Sequence, residues 1–147
     1  MNSVNIWNKA LDILSRREHS SYEIKTKLKK FESNEKDLDK LVTRLKDSNF
    51  INDERFAASF IKSKAQSGYG PLYINQHLSK KRIAPDLYDM YALDIDWESI
   101  CKDQFAKKRK GKDINPKEKE KILRFLAYRG FSYEIIKNAL KKYNEWL

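Results

Sequence analysis

Four glycines and three prolines among 147 residues leave too few turn formers for a many-stranded sandwich or barrel, so helices are the economical reading of this chain. A single cysteine, Cys101, excludes an intramolecular disulfide and fits a reducing compartment, where it serves as a small hydrophobe on a helix face. Two histidines, His19 and His77, are too few and too scattered to build a zinc site with that one thiol. The chain has neither a Ser/Cys–His nucleophile pattern nor a Gly-rich phosphate loop, so no enzyme activity, catalytic residue, metal or cofactor is expected. No apolar run approaches the roughly 18 residues of a membrane span, and the opening MNSVNIWNKALDIL is not a basic leader followed by a long apolar stretch. The expectation is a soluble, cytoplasmic monomer with no membrane contact.

Charge is what the chain has in excess. Hydrophobic residues make up 40% and charged residues 35%, with a net charge of +10. The excess is uneven: +3 over residues 1–50, −1 over 51–100 and +8 over 101–147. The last third is therefore the end expected to face a polyanion, although a basic balance also serves solubility.

Helix punctuation organises the rest. Trp7, Ala10, Leu11 and Leu14 share one face of a first helix over about residues 6–17. Ser20 stands three residues before Glu23, a capping-box spacing that predicts a second helix starting near Ser21 and burying Ile24 and Leu28. Leu38, Leu41, Val42 and Leu45 form a third stripe, followed by a new start at INDERF. The same events recur: Phe56, Ala57, Phe60 and Ile61 run toward Gly68, Pro71 opens a helix carrying Ile74 and Leu78, and Pro85 admits a short helix bearing Leu87 and Tyr91. A third round has Trp97, Ile100, Cys101, Gln104 and Phe105, then Asn115, Pro116 and Glu118 as cap, first turn and capping-box acid. It continues with Ile122, Phe125 and Leu126 as buried residues, Gly130 as a left-handed C-cap and a ninth helix after Ser132. Ile24/Leu28, Ile74/Leu78 and Ile122/Leu126 align at offsets of 50 and 48 residues. The predicted fold is all-α: three tandem three-helix, helix-turn-helix-like repeats over residues 1–50, 51–95 and 96–147.

The densest binding signal is the run Lys107, Lys108, Arg109, Lys110 and Lys112. A second run, Lys80, Lys81 and Arg82, sits at a comparable helix end, where cations also favour the macrodipole. On KILRFLAYRGF, Lys121, Arg124 and Arg129 are candidate surface contacts, and Arg124 and Tyr128 are four residues apart on one helix. The most basic run falls at a predicted loop before a helix, which disfavours sequence-specific reading by a recognition helix.

The segments ALDILSRREHSSYEIKTKL, LKDSNFINDERFAASFIKSK, GYGPLYINQHLSKKRI and KILRFLAYRGFSYEII, in that order, resemble the RecX family of bacterial regulators of the RecA recombinase. The resemblance runs from about Ala10 to Leu140. Arg17, His19, Ser20, Glu23 and Leu28 match its first-repeat motif. Asp53, Phe56, Ala57, Gly70 and Leu78 match the second, and Phe125, Leu126, Arg129, Gly130 and Phe131 match the third. It implies an elongated, curved array of three repeats that lies along the groove of the RecA filament on DNA. There it would restrain recombinase, ATPase and coprotease activities while hydrolysing nothing itself. The Lys107–Lys112 run, Lys121, Arg124 and Arg129, with Lys80–Arg82, are then expected to face filament DNA or an acidic RecA surface. Direct, sequence-tolerant DNA binding and a general protein-interaction module are the alternatives.

Overall fold

The computed structural model describes residues 3–111 and 115–142. Its elements are α1 (Ser3–Leu14), α2 (Ser21–Leu28), α3 (Glu35–Asp47), α4 (Asp53–Gln66) and α5 (Pro71–Lys80), a 3-10 turn at Pro85–Leu87, then α6 (Trp97–Arg109), α7 (Pro116–Tyr128) and α8 (Tyr133–Ala139). No strand occurs among the described residues. The chain divides into two compact units, residues 1–59 with 78–88 and residues 60–77 with 89–147.

In the first unit, Ile6, Ala10, Ile24, Leu28, Leu38, Leu41, Val42, Leu45 and Ile51 form one buried cluster. Burying each Ile, Leu or Val side chain among them contributes about 1.5–3 kcal/mol. The stripe of α1 is centred slightly differently from its sequence pattern. Ile6 and Ala10 are fully buried, while Trp7, Leu11 and Leu14 flank the cluster. Trp7 instead takes the Arg44 guanidinium 4.2 Å from its ring centre and the edge of Phe50 at 5.7 Å. In the second unit, Cys101, Phe105, Ile122, Leu126, Phe131, Ile136, Ala139 and Leu140 form the core, with Phe125 only partly buried against it.

The caps read from the sequence set the helix starts. Ser20 Oγ accepts the Glu23 N–H at 3.0 Å and the Glu23 carboxylate accepts the Ser20 N–H at 3.1 Å, which closes the capping box of α2. Asn115 Oδ1 accepts the Glu118 N–H at 2.9 Å with Pro116 at the first turn. Asn34, Asp96 and Ser132 cap α3, α6 and α8 in the same manner.

Four helices end alike. Left-handed residues at Asn49, Gly68, Arg82 and Gly130 let the following amide reach back over the last turn, as Phe131 N–H does to Leu126 O at 3.2 Å. The helix expected to follow Pro85 does not extend to Tyr91. The Asp89 carboxylate accepts the Tyr91 N–H at 3.0 Å, and Ala92 N–H closes on Asp89 O at 3.2 Å. An aspartate side chain competing for backbone donors replaces the helix with turns and leaves Tyr91 69% exposed. The expectation of nine helices therefore becomes eight α-helices and one 3-10 turn among the described residues.

Candidate binding surface

Two turns of the second unit meet through their main chains. Gly70 N–H donates to Arg129 O at 2.7 Å and Leu72 N–H to Gly130 O at 2.9 Å. The approach leaves no room for side chains: a Cβ at Gly70 would lie 2.6 Å from the Gly130 carbonyl, and one at Gly130, where φ is +102°, would lie 2.5 Å from Tyr73 N. The backbone contact puts the end of α7 beside the start of α5 and so assembles the aromatic side chains around Arg129.

Arg129 was expected to be a surface contact, and its guanidinium is instead engaged within the unit. Nη2 donates to Ser67 O at 3.0 Å and to Gln104 Oε1 at 3.2 Å. The guanidinium carbon lies 4.1 Å from the centre of the Tyr69 ring and 5.7 Å from that of Phe125. Tyr69 stacks on Tyr73 at 4.0 Å and 14°, and Tyr73 on His77 at 4.2 Å. Burial and the hydrogen bond with Tyr69 hold the Tyr73 phenol above its ordinary pKa.

Tyr69, Tyr73 and Arg129 line a shallow depression of about 510 Å³ with Lys121, Arg124, Phe125 and Tyr128. Lys121 and Arg124 are exposed, and Tyr128 is 82% exposed. At its margin the Lys108 ammonium lies 4.8 Å from the centre of the Phe125 ring. An apolar, aromatic floor with cations around it can stack a flat group and hold an anionic one beside it.

The remaining cations distribute as follows. Lys107, Lys108 and Arg109 occupy the last turn of α6, so the run is helical where a loop was expected. Lys110 is its left-handed cap at φ 55°, and Lys112 lies outside the described residues. Arg109 lies over Phe105 at 5.8 Å. Lys80, Lys81 and Arg82 belong to the first unit. Lys80 is exposed, but Lys81 Nζ bonds Glu23 Oε2 at 2.7 Å and Arg82 lies 5.3 Å from the Tyr22 ring. The structure thus brings Lys108, Lys121 and Arg124 to one surface and assigns Lys81 and Arg129 internal partners.

The first-repeat motif is a second polar centre. Burial opposes ionisation of Glu23, yet hydrogen bonds from Arg17, Lys81 and the Ser20 backbone outweigh it and hold the carboxyl at about 2. His19 is buried; its Nδ1 lies 3.0 Å from Arg17 O and its Nε2 2.7 Å from Lys27 Nζ. A carbonyl only accepts and an ammonium only donates, so the ring is neutral with its proton on Nδ1. Burial, with the Arg17 and Lys27 charges, keeps its pKa below the ordinary value. Asp53 Oδ1 accepts from the Ser21 N–H at 2.8 Å and its hydroxyl at 3.1 Å, which explains an acid in the second-repeat motif. Cys101 is fully buried, and burial with the nearby Glu98 charge pushes its thiol up to about 12.

Sequence reading missed Tyr69, Tyr73 and Lys64, which lies 5.9 Å from the Tyr69 ring. The four-residue spacing of Tyr69, Tyr73 and His77 was the available signal, obscured because the first of them precedes the helix. Among the described residues no three His, Cys, Asp or Glu side chains gather as a metal site, and no helix is long and apolar enough to cross a membrane.

Comparison with known proteins gives the chain its kinship. The RecX models for the first, second and third three-helix domains match residues 7–45, 52–90 and 96–140. Regulatory protein RecX of Vibrio campbellii is 36% identical over 134 residues, covering 89% of this chain and 86% of the relative. That of Shigella boydii is 31% identical over 150 residues, covering 92% and 90%. The crystal structure of RecX from Lactobacillus salivarius superposes with a TM-score of 0.81 at 24% identity, over 97% of this chain and 96% of that one. A second RecX crystal structure does so with a TM-score of 0.82 at 22% identity, over 94% of this chain and 72% of that one. Three domain matches in order, on an all-α fold shared with those crystal structures, establish that this chain belongs to the RecX family.

Proposed function

We propose that this protein is a regulatory protein that binds the RecA filament on DNA and restrains RecA. The observation that carries the reading is the ordered match of all three RecX domains along one chain. In this reading the protein has no catalytic step of its own. Its cytoplasmic, monomeric form meets a repeating polymer, and several weak contacts along one chain multiply into firm attachment.

The surface proposed for contact is the aromatic depression of the second unit with Lys108, Lys121 and Arg124, supported by Lys107 and Lys110 on the same helix end. Exposed cations beside exposed rings suit the phosphates and bases of filament DNA, and the cations alone suit an acidic protein face. The same chemistry favours a second reading, direct sequence-tolerant DNA binding.

RecA ATPase on single-stranded DNA, measured with and without the protein, tests the two readings when binding to the same DNA lacking RecA is followed in parallel. Inhibition at concentrations too low to occupy naked DNA is the expected result. Unchanged ATPase while the DNA is saturated would replace filament regulation with direct DNA binding.

A further inference from the structure

The first unit contains a cleft that the filament-facing surface does not include. Its volume is about 490 Å³, and its walls come from α1, the α1–α2 connection, the end of α2 and the turn after it. Five cations line it: Lys9, Arg16, Arg17, Lys27 and Lys30. Among the described residues Asp12 is the sole carboxylate in that lining, already paired with Arg16 at 3.1 Å, and Arg17 is paired with Glu23 at 3.2 Å. Among the described residues no carboxylate lies within ion-pair distance of Lys9, Lys27 or Lys30. Lys27 donates instead to the neutral His19 ring, and the Lys9 and Lys30 ammoniums lie 4.8 and 5.2 Å from the centre of the Phe31 ring.

Like charges gathered around one concave space repel one another unless an anion joins them. An ion pair within the protein would require acids at these positions, and the fold supplies neutral partners, an imidazole and a phenyl ring. Two ammoniums disposed about one aromatic wall, with a third on a buried imidazole, can donate to several oxygens of one group at once. A phosphate has that many acceptor oxygens; a carboxylate has two.

We infer that this cleft is a phosphate-binding site, taking the phosphate of a nucleic-acid backbone or of a free phosphate compound between Lys9, Lys27 and Lys30 with Phe31 as its apolar wall. This site is independent of RecA recognition, and a chain that failed to inhibit RecA could still possess it.

The test is a titration of the full, isotope-labelled chain with inorganic phosphate, followed by NMR at constant ionic strength. Signals of His19, Lys27 and Phe31 are expected to shift and saturate, while matched chloride leaves them in place. A short thymidine oligonucleotide distinguishes the sources. Saturation at lower phosphate concentration than the inorganic ion identifies a nucleic-acid backbone, and saturation at an equal or higher concentration identifies a free phosphate. The double variant Lys9→Gln/Lys30→Gln should weaken saturation about tenfold or more without altering the amide spectrum elsewhere. Lys137→Gln, on the exposed face of α8, should not weaken it. Shifts that grow linearly and equally with phosphate and chloride would overturn the inference, as would tighter saturation by polyglutamate than by either phosphate probe.

Discussion

The guanidinium of Arg129 lies 4.1 Å from the centre of the Tyr69 ring while its Nη2 donates to Ser67 O and Gln104 Oε1. A planar guanidinium can lie over a ring while one of its nitrogens reaches two acceptors, and a compact ammonium on a different stem does not reproduce both contacts at once. Arg129→Lys should therefore lower the unfolding free energy by about 1–2 kcal/mol in urea denaturation. An unchanged midpoint would show that the fork contributes nothing.

Gly130→Ala should be more damaging. The new Cβ would meet Tyr73 N at 2.5 Å, and the alanine would have to adopt φ +102°. Steric overlap and left-handed strain together should cost about 3 kcal/mol or more, visible as a lowered thermal midpoint. Full stability would mean that the turns at Gly70 and Gly130 can separate freely.

Acid should destabilise the chain in two stages. His19 is neutral when folded with its pKa below 6.5, so the unfolded state gains a proton first and stability falls as pH drops below that value. Glu23 is ionised when folded down to about 2, against 4.5 when free, so stability falls again between those values, by about 3 kcal/mol at most. Glu23→Gln should be less stable at neutral pH and should flatten the lower stage in a denaturation series. A lower stage unchanged in that variant would assign acid sensitivity to other carboxylates.

Charge reversal on the second unit separates contact from folding. Lys108→Glu, Lys121→Glu and Arg124→Glu together should raise the concentration needed to inhibit RecA ATPase about tenfold or more. Circular dichroism should be unchanged, because Lys108, Lys121 and Arg124 are all exposed and Lys108 touches Phe125 from the surface. Normal inhibition would move the contact to another surface.

Helix starts were legible because a cap is local: Ser20 with Glu23, Asn115 with Glu118 and the 3.6-residue stripes all lie within a few positions. The bonds from Ser21 to Asp53 and from Arg129 to Ser67 span 32 and 62 residues, and no short window contains both partners. Cations were therefore easy to find and hard to sort. Arg124 and Arg129 read alike in sequence, yet one is exposed and the other is forked onto distant acceptors. The turn around Asp89 was misread for a related reason: the apolar spacing suggested a helix, whereas side-chain competition for backbone donors decides the local geometry.

The two hydrogen bonds from Gly70 and Leu72 to the carbonyls of Arg129 and Gly130 are made by main chain alone, so no substitution can retune them gradually. They join a turn of the second repeat to a turn of the third. The cooperative block of this molecule is consequently larger than its sequence period. A fragment beginning at residue 96 would leave both carbonyls without those donors and the Arg129 guanidinium without Ser67 and Tyr69. Duplication can multiply such repeats in a gene, but thereafter neighbouring copies must diverge together.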